Sequence, residues 1–387
     1  SHAGSASCII TVSAGKYIGT AGDNSTNWDT CAGGTYKASH TVAYGGTSSC
    51  GTCSAGYYCP EGAGSQTACG SNNKYSSSGA ASCSTVTSGY YSTGGTETTR
   101  TGQSQCTGAT YCTSGVKYDC PSGYTADTSN GKTAATQCDI SVTGGKYIGT
   151  AGDNSSNWDT CACGTYKAAH TVAYGSTSSC AKTDAGYYAA AGASSQTKAD
   201  AGYYAAAGAC SQTACSGRTK YSAAGAGSCS TVSTGYYTTG CNSSGNACTG
   251  QTICAKGTYC SSGVSNNCPA GTYGSTTGLS SSSCSGTCTA GYYCPAGSTS
   301  ATQNGCGGGK YSATGAGASS DCKTISAGCY GTSASSSCPA VCAANTYSNA
   351  GASSCTGCPT DYKNSGDTAA SHAGSASCII TVSAGKY

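Results

Sequence analysis

At 387 residues the chain could hold two or three ordinary domains, but it has no Phe, no Met and a single Leu, Leu279, too little apolar bulk for ordinary packed cores. In their place stand 33 Cys, 30 Tyr and 60 Gly, which points to a disulfide scaffold rather than to disorder. Charged residues are only 8% of the chain and the net charge of +3 is scattered, excluding a charge-expanded coil and a nucleic-acid-binding face.

The chain opens with SHAGSASCIITVSAGKY at Ser1–Tyr17, and the same letters return at Ser371–Tyr387, offset by 370. A first cysteine-rich block, 1–137, continues through the sequon Asn24-Ser-Thr and through Trp28 beside Asp29. It then shows a short unit, CSAGYYCPEGAGSQTAC from Cys53, followed by KYSSSGAASCSTVTSGYY from Lys74. Gly-Tyr-Tyr predicts a short strand with successive side chains on opposite faces. One ring is then free to cover a neighbouring disulfide while the other faces solvent or another chain. The pairs concerned are Tyr57 with Tyr58, Tyr90 with Tyr91 and, later, Tyr292 with Tyr293. Gly and Ser clusters supply the turns between strands.

A second block, 138–287, restarts the first. At an offset of 130, Ala14–Cys50 and Gly144–Cys180 differ at only five of 37 positions. Trp158 and the sequon Asn154-Ser-Ser repeat Trp28 and Asn24, and a third sequon begins at Asn242. The match then slips by sixteen residues, because TDAGYYAAAGASSQTK is followed at once by ADAGYYAAAGACSQTA. Cys53 and Cys59 become Thr183 and Ala189, and in the adjoining unit Ala199 and Ala205. Their joint loss, twice, leads us to expect either a Cys53–Cys59 bridge or loss of a whole linked unit. Cys163 and Cys210 are gained together, and a bridge between them is the second expectation.

A shorter third block, 288–370, carries CTAGYYCPAGSTSATQNGC from Cys288, including Cys294, and NTYSNAGASSCTGC, including Cys355 and Cys358. Residues 371–387 then begin the next period. Cys378 duplicates Cys8, so one 370-residue period holds 32 Cys, an even number, as full pairing requires. A bridge closing a loop of about 15 residues removes about 3 kcal/mol of unfolded-state entropy. The fold class expected is small and disulfide-rich: tandem short β-hairpin and coil modules forming an elongated rod, with little or no helix.

The run CxxGYYCPxG followed by KYS-x-GA-x-SC resembles the cysteine-rich repeats of ephrin-receptor-like, furin-like and TNF-receptor-like modules. The density of Gly, Ser, Thr and Ala is similar to that of cysteine-rich surface proteins of protists. The resemblance implies small β modules in a rod, with receptor binding or surface coating as the role, and it brings no catalytic residue. The chain departs from it where modules lack Cys; strict CxxC occurs only at Cys50 with Cys53 and at Cys355 with Cys358.

Chemistry in the usual sense finds little footing. His2, His40, His170 and His372 are scattered and do not complete zinc sets with the CxxC pairs. Gly131-Lys132-Thr133 lacks the upstream glycine of a phosphate loop, since Ala126 stands there. We therefore expect no enzyme, no metal and no cofactor. The attached groups expected are N-linked glycans at Asn24, Asn154 and Asn242, with O-linked ones on the dense Ser and Thr. Trp28 and Trp158 are expected to anchor the two large modules, a carbohydrate-stacking platform being their alternative role.

Pervasive disulfides predict an extracellular or cell-surface location, and no apolar run approaches the length of about twenty residues that spans a membrane. Repeats inside the period have drifted, as Thr26 to Ser156 shows, whereas the end copy has not drifted at all. That contrast leads us to expect a segment of a periodic polymer whose partner is a copy of itself, head to tail. The function expected is a structural subunit of an extracellular filament or surface appendage. The alternative is a cysteine-rich antigen or adhesin that binds a partner through exposed Tyr.

Overall fold

The computed structural model describes residues 8–125 and 130–382. Among them every sheet is two-stranded, and the helical elements are four 3-10 turns of three or four residues. Sixteen disulfides take up 32 of the 33 cysteines, and Cys8 carries none. The fold is therefore small-module, disulfide-rich and built from hairpins. No helix among the described residues is long and apolar enough to cross a membrane.

The hairpins follow one recipe. A turn ends on glycine, two residues such as Tyr57–Tyr58 form a strand, and a second pair such as Thr67–Ala68 returns antiparallel to it. A two-residue strand with aromatic or β-branched members has little stability alone. Its order comes from neighbours on both sides in sequence. Gly34 donates its N–H to the Cys59 carbonyl at 2.7 Å, in the next hairpin. It also sits at φ +91° so close to Gly79, in the hairpin after that, that a Cβ would stand 2.1 Å from the Gly79 oxygen. No residue but glycine combines that φ with that approach. Gly271 repeats the arrangement in the second half of the chain, with an N–H to Cys294 O at 2.8 Å and a would-be Cβ 2.3 Å from Gly315 O.

Buried serines explain the Lys-Tyr-Ser pattern. Ser76, Ser222 and Ser312 are each at most 2% exposed. Their hydroxyls donate to the carbonyls of Tyr57, Tyr203 and Tyr292 at 2.8, 2.8 and 2.9 Å. A buried hydroxyl without such a partner is costly. The serine therefore fixes the register in which one hairpin packs on the preceding Gly-Tyr-Tyr strand.

The chain folds as two compact units. The first comprises Ser1–Ala162, Tyr166–Ala181 and Ala191–Ser195, the second Cys163–Thr165, Lys182–Ala190 and Gln196–Tyr387. The sequence blocks 1–137, 138–287, 288–370 and 371–387 mark where the repeats restart, whereas the units mark where packing divides.

Two larger modules in the first unit nest one hairpin inside another. Ile9–Val12 pairs with His40–Ala43, enclosing Lys16–Tyr17 paired with Asp29–Thr30. Asp139–Val142 pairs with His170–Ala173 in the same register, enclosing Lys146–Tyr147 with Asp159–Thr160. The apolar clusters are small: Val12, Ile18 and Val42 in one module, Cys138, Ile140, Val142, Ile148 and Val172 with Tyr124 in the other. Elsewhere much of the buried apolar surface is cysteine, as at Cys31, Cys106 and Cys254.

Candidate functional site

The site-bearing feature of this molecule is the way one module is joined to the next, and one joint is present in full. Cys120 bonds to Cys138 at the head of the second large module. Just beyond it Thr125 and Asp139 exchange two backbone hydrogen bonds, both 2.9 Å. Tyr124, carried between them by the Pro121–Tyr124 turn, is 3% exposed. It packs on Ile140, Val142, Ile148 and Val172. Its hydroxyl donates to the Asp153 carbonyl at 2.8 Å, and its ring meets Tyr174 edge-on at 5.2 Å. Burial, with smaller contributions from the Asp153 carboxylate and Tyr174, pushes the Tyr124 phenol above its ordinary range.

The first large module has the equivalent Cys8, Ile10, Val12, Ile18, Val42 and Tyr44 but lacks these partners. Cys8, corresponding to Cys138, is exposed and unbonded. Tyr44, corresponding to Tyr174, is 84% exposed, and Ile9 is 66% exposed. Cys8, Ile9, Ile10, Ile18, Asp23 and Tyr44 line a shallow pocket there.

Of the cysteines singled out in the sequence, all but Cys8 are bonded. Cys53 is joined to Cys59, Cys163 to Cys210 and Cys288 to Cys294. The CxxC neighbours do not pair with each other: Cys50 bonds Cys31, Cys355 bonds Cys342, and Cys358 bonds Cys378. In each CxxC the first cysteine closes the hairpin behind and the second opens a bridge of the next. Cys8 and Cys378, identical in sequence context, thus differ in state.

The tyrosine pairs correct the expectation of one covered ring and one free ring. Tyr57 and Tyr58 are both half-buried, as are Tyr90 and Tyr91, and as are Tyr292 and Tyr293. Flanking hairpins pack over both faces of so short a strand. Tyr293 lies opposite Asn304 in a two-residue ladder. The Asn304 amide also donates to the Tyr293 carbonyl at 3.5 Å. Tyr57 lies against the Cys53–Cys59 bridge, and the Lys117 ammonium stands 5.4 Å from the Tyr91 ring centre.

Trp28 and Trp158 pack on the two module clusters, and each buries its indole N–H without a partner. His40 and His170 begin strands, each with Nε2 at 2.9 Å from a serine hydroxyl, Ser48 or Ser178. His2 and residue 126 lie outside the described residues.

Asn24 and Asn242 are exposed, and Asn154 is half-buried. The joint crowds Asn154, since a Cβ on Gly123 would stand 3.2 Å from its own Cβ. Among the described residues no group of three or more His, Cys, Asp or Glu is placed to hold a metal ion. Among them, too, one carboxylate is displaced from its ordinary range: Asp321 is lowered by N–H groups of Gly317 and Ala318 at 2.7 and 2.9 Å. It closes a 3-10 turn. No protein family matches the chain, and no curated protein is significantly similar to it.

Sequence reasoning passed over Cys120, Tyr124 and Tyr44. The signal was present in Cys120-Pro-Ser-Gly-Tyr124, which returns as Cys358-Pro-Thr-Asp-Tyr362. It was hidden because Gly-Tyr-Tyr and Lys-Tyr-Ser are the more frequent repeats and this turn contains neither.

Proposed function

We propose that the chain is a structural subunit of an extracellular, disulfide-stapled and glycosylated filament or surface appendage, with copies following one another head to tail. The role is mechanical rather than catalytic. The observation that carries it is the hairpin recipe itself: within each unit the same glycine approach, buried serine and short bridge recur, and the polar groups serve the stacking. Such a chain resists extension because most of its hairpins carry a cross-link, and its sulfur suits an oxidising compartment. The adhesin alternative draws less support, because the paired tyrosines are half-buried between hairpins.

Negative-stain electron microscopy of the chain produced in an oxidising compartment tests the reading, with limited proteolysis before and after reduction. Unbranched filaments that resist protease until reduced are expected. Single chains that stay dispersed at every concentration sink it.

A further inference from the structure

The face around Cys8 and the turn at Cys358 are counterparts of the two halves of the joint seen complete at residues 120–174. The receiving half is the face around Cys8, with Ile10, Ile18, Asp23 and Tyr44 in the places of Ile140, Ile148, Asp153 and Tyr174. The inserting half is Cys358–Lys363. It repeats the turn of 120–125: the Tyr362 N–H donates to Pro359 O at 3.0 Å, as Tyr124 does to Pro121 O at 2.9 Å. Asp361 and Gly123 occupy the same left-handed position, at φ 72° and 85°. Lys363 and Ile379 exchange two backbone hydrogen bonds of 2.9 Å, as Thr125 and Asp139 do. The two turns differ in what covers them. Tyr124 is 3% exposed inside a module, whereas Tyr362 is 41% exposed, and Ile379, Ile380 and Val382 are 63, 46 and 62% exposed.

We infer that the face around Cys8 receives the Cys358–Lys363 segment of a second copy of this chain, Tyr362 filling the pocket beside Tyr44 and Cys358 bonding to Cys8. This rests on the head-to-tail reading and gives it a chemical form. In each chain Cys378 already occupies Cys358, and residues 371–387 are identical to 1–17. Cys378 and Ile379 therefore hold the place that Cys8 and Ile9 of the next copy take. The Cys8 thiolate attacks Cys358 Sγ, the Cys358–Cys378 bond breaks, and its electron pair leaves on Cys378 Sγ, which takes up the proton that Cys8 released. One disulfide is exchanged for another, so no oxidant is consumed. Strand for strand the exchange is even, but only the incoming copy brings the apolar pocket that buries Tyr362.

Non-reducing electrophoresis of the 387-residue chain, with peptide mapping, tests this. The expected result is a ladder in steps of 37.3 kDa that collapses on reduction, a Cys8–Cys358 cross-linked peptide, and an alkylatable Cys378. Tyr362→Asp keeps every cysteine and is expected to lower multimer formation by about tenfold or more, a charged group being costly in an apolar pocket. Its Cys8 should still react with a small maleimide at the normal rate. Cys8→Ser should abolish the ladder. Linkage of Cys8 to Cys8 or to Cys378, or a Tyr362→Asp ladder equal to that of the parent chain, overturns the joint. Filaments formed by Cys8→Ser would overturn the joint while leaving the filament reading standing; a chain that never assembles overturns both.

Discussion

The hairpin that starts at Cys53 and its two counterparts at Thr183 and Ala199 are the same structure with and without sulfur. Cys53 and Cys59 are bonded and 0% exposed, while Thr183, Ala189, Ala199 and Ala205 take the same places at 1–2% exposure. The backbone does not register the change. Cys59, Ala189 and Ala205 donate their N–H groups to Ala80, Ala209 and Ala226 at 3.0, 3.1 and 3.0 Å. Loss of the two cysteines therefore removes a bridge and not a unit. The lattice of backbone contacts sets the shape, and the disulfide limits the freedom of the unfolded chain. In the loop-entropy picture a bridge over six residues is worth about 2 kcal/mol and one over 47 residues about 4 kcal/mol. Two short bridges are absent from the unbridged stretch, and the Cys163–Cys210 bridge that spans it offsets them.

The largest effect should come from removing that offset. Cys163 and Cys210 are both exposed, so Cys163→Ser with Cys210→Ser leaves no buried polar group. It should lower the stability of the second unit by about 4 kcal/mol, read from urea unfolding. Limited proteolysis should then cut first between 182 and 214. A loss no larger than that from a six-residue bridge would break the comparison.

Next come paired glycines. A Cβ on Gly56 would stand 2.3 Å from Thr99 O, and one on Gly202 would stand 2.2 Å from Ala247 O. Both residues have left-handed φ, so alanine costs at least about 1–2 kcal/mol at either. Gly56→Ala should open its hairpin only at the turn, because Cys53–Cys59 still holds it. Gly202→Ala, whose hairpin has Ala199 and Ala205 in place of that short bridge, should expose more of its ladder, Tyr203–Tyr204 with Thr213–Ala214, to amide exchange. Equal exchange in the two variants would show that the bridge restrains nothing locally.

Replacing Cys53→Thr with Cys59→Ala copies what the second block already carries. It should cost about 2 kcal/mol and leave the Tyr57–Tyr58 ladder protected from exchange. The smallest effect asks the same question of a tie without sulfur. Tyr124→Phe removes one hydrogen bond, for a loss of about 1 kcal/mol. Because the folded state raises the Tyr124 pKa, the stability it adds is complete below the unfolded value of about 10. It is lost as pH rises from there through the raised value. The variant should lack that alkaline fall, which unfolding curves across the range would show.

Much of this could be read in the residues. The want of Leu, Phe and Met, the Gly-Tyr-Tyr strands and the joint disappearance of Cys53 and Cys59 all speak to local chemistry, and local chemistry governs two-residue strands. The illegible part concerns contacts between hairpins. Nothing in KYS announces that its serine is buried against the preceding strand, since the reason lies in a carbonyl some twenty residues earlier, 19 for Ser76. The tyrosine pairs misled for the same cause: alternation describes a strand with one open face, and here both faces are partly covered, at Tyr293 as much as at Tyr58. Tyr124 and Tyr362 look equivalent as letters. What separates a buried anchor from a half-exposed ring is the cluster of Ile140, Ile148, Val172 and Tyr174 packed on Tyr124.

The glycine at the head of a hairpin reaches past its immediate neighbour, as Gly34 does to Gly79 and Gly271 to Gly315. Within each unit, hairpins are thereby spliced to their successors the way overlapping fibres make a yarn. A nick in one loop, or one reduced bridge, leaves the hairpins on either side still touching across the damage. Failure then requires two adjacent faults, and wear at a single residue does not become a break.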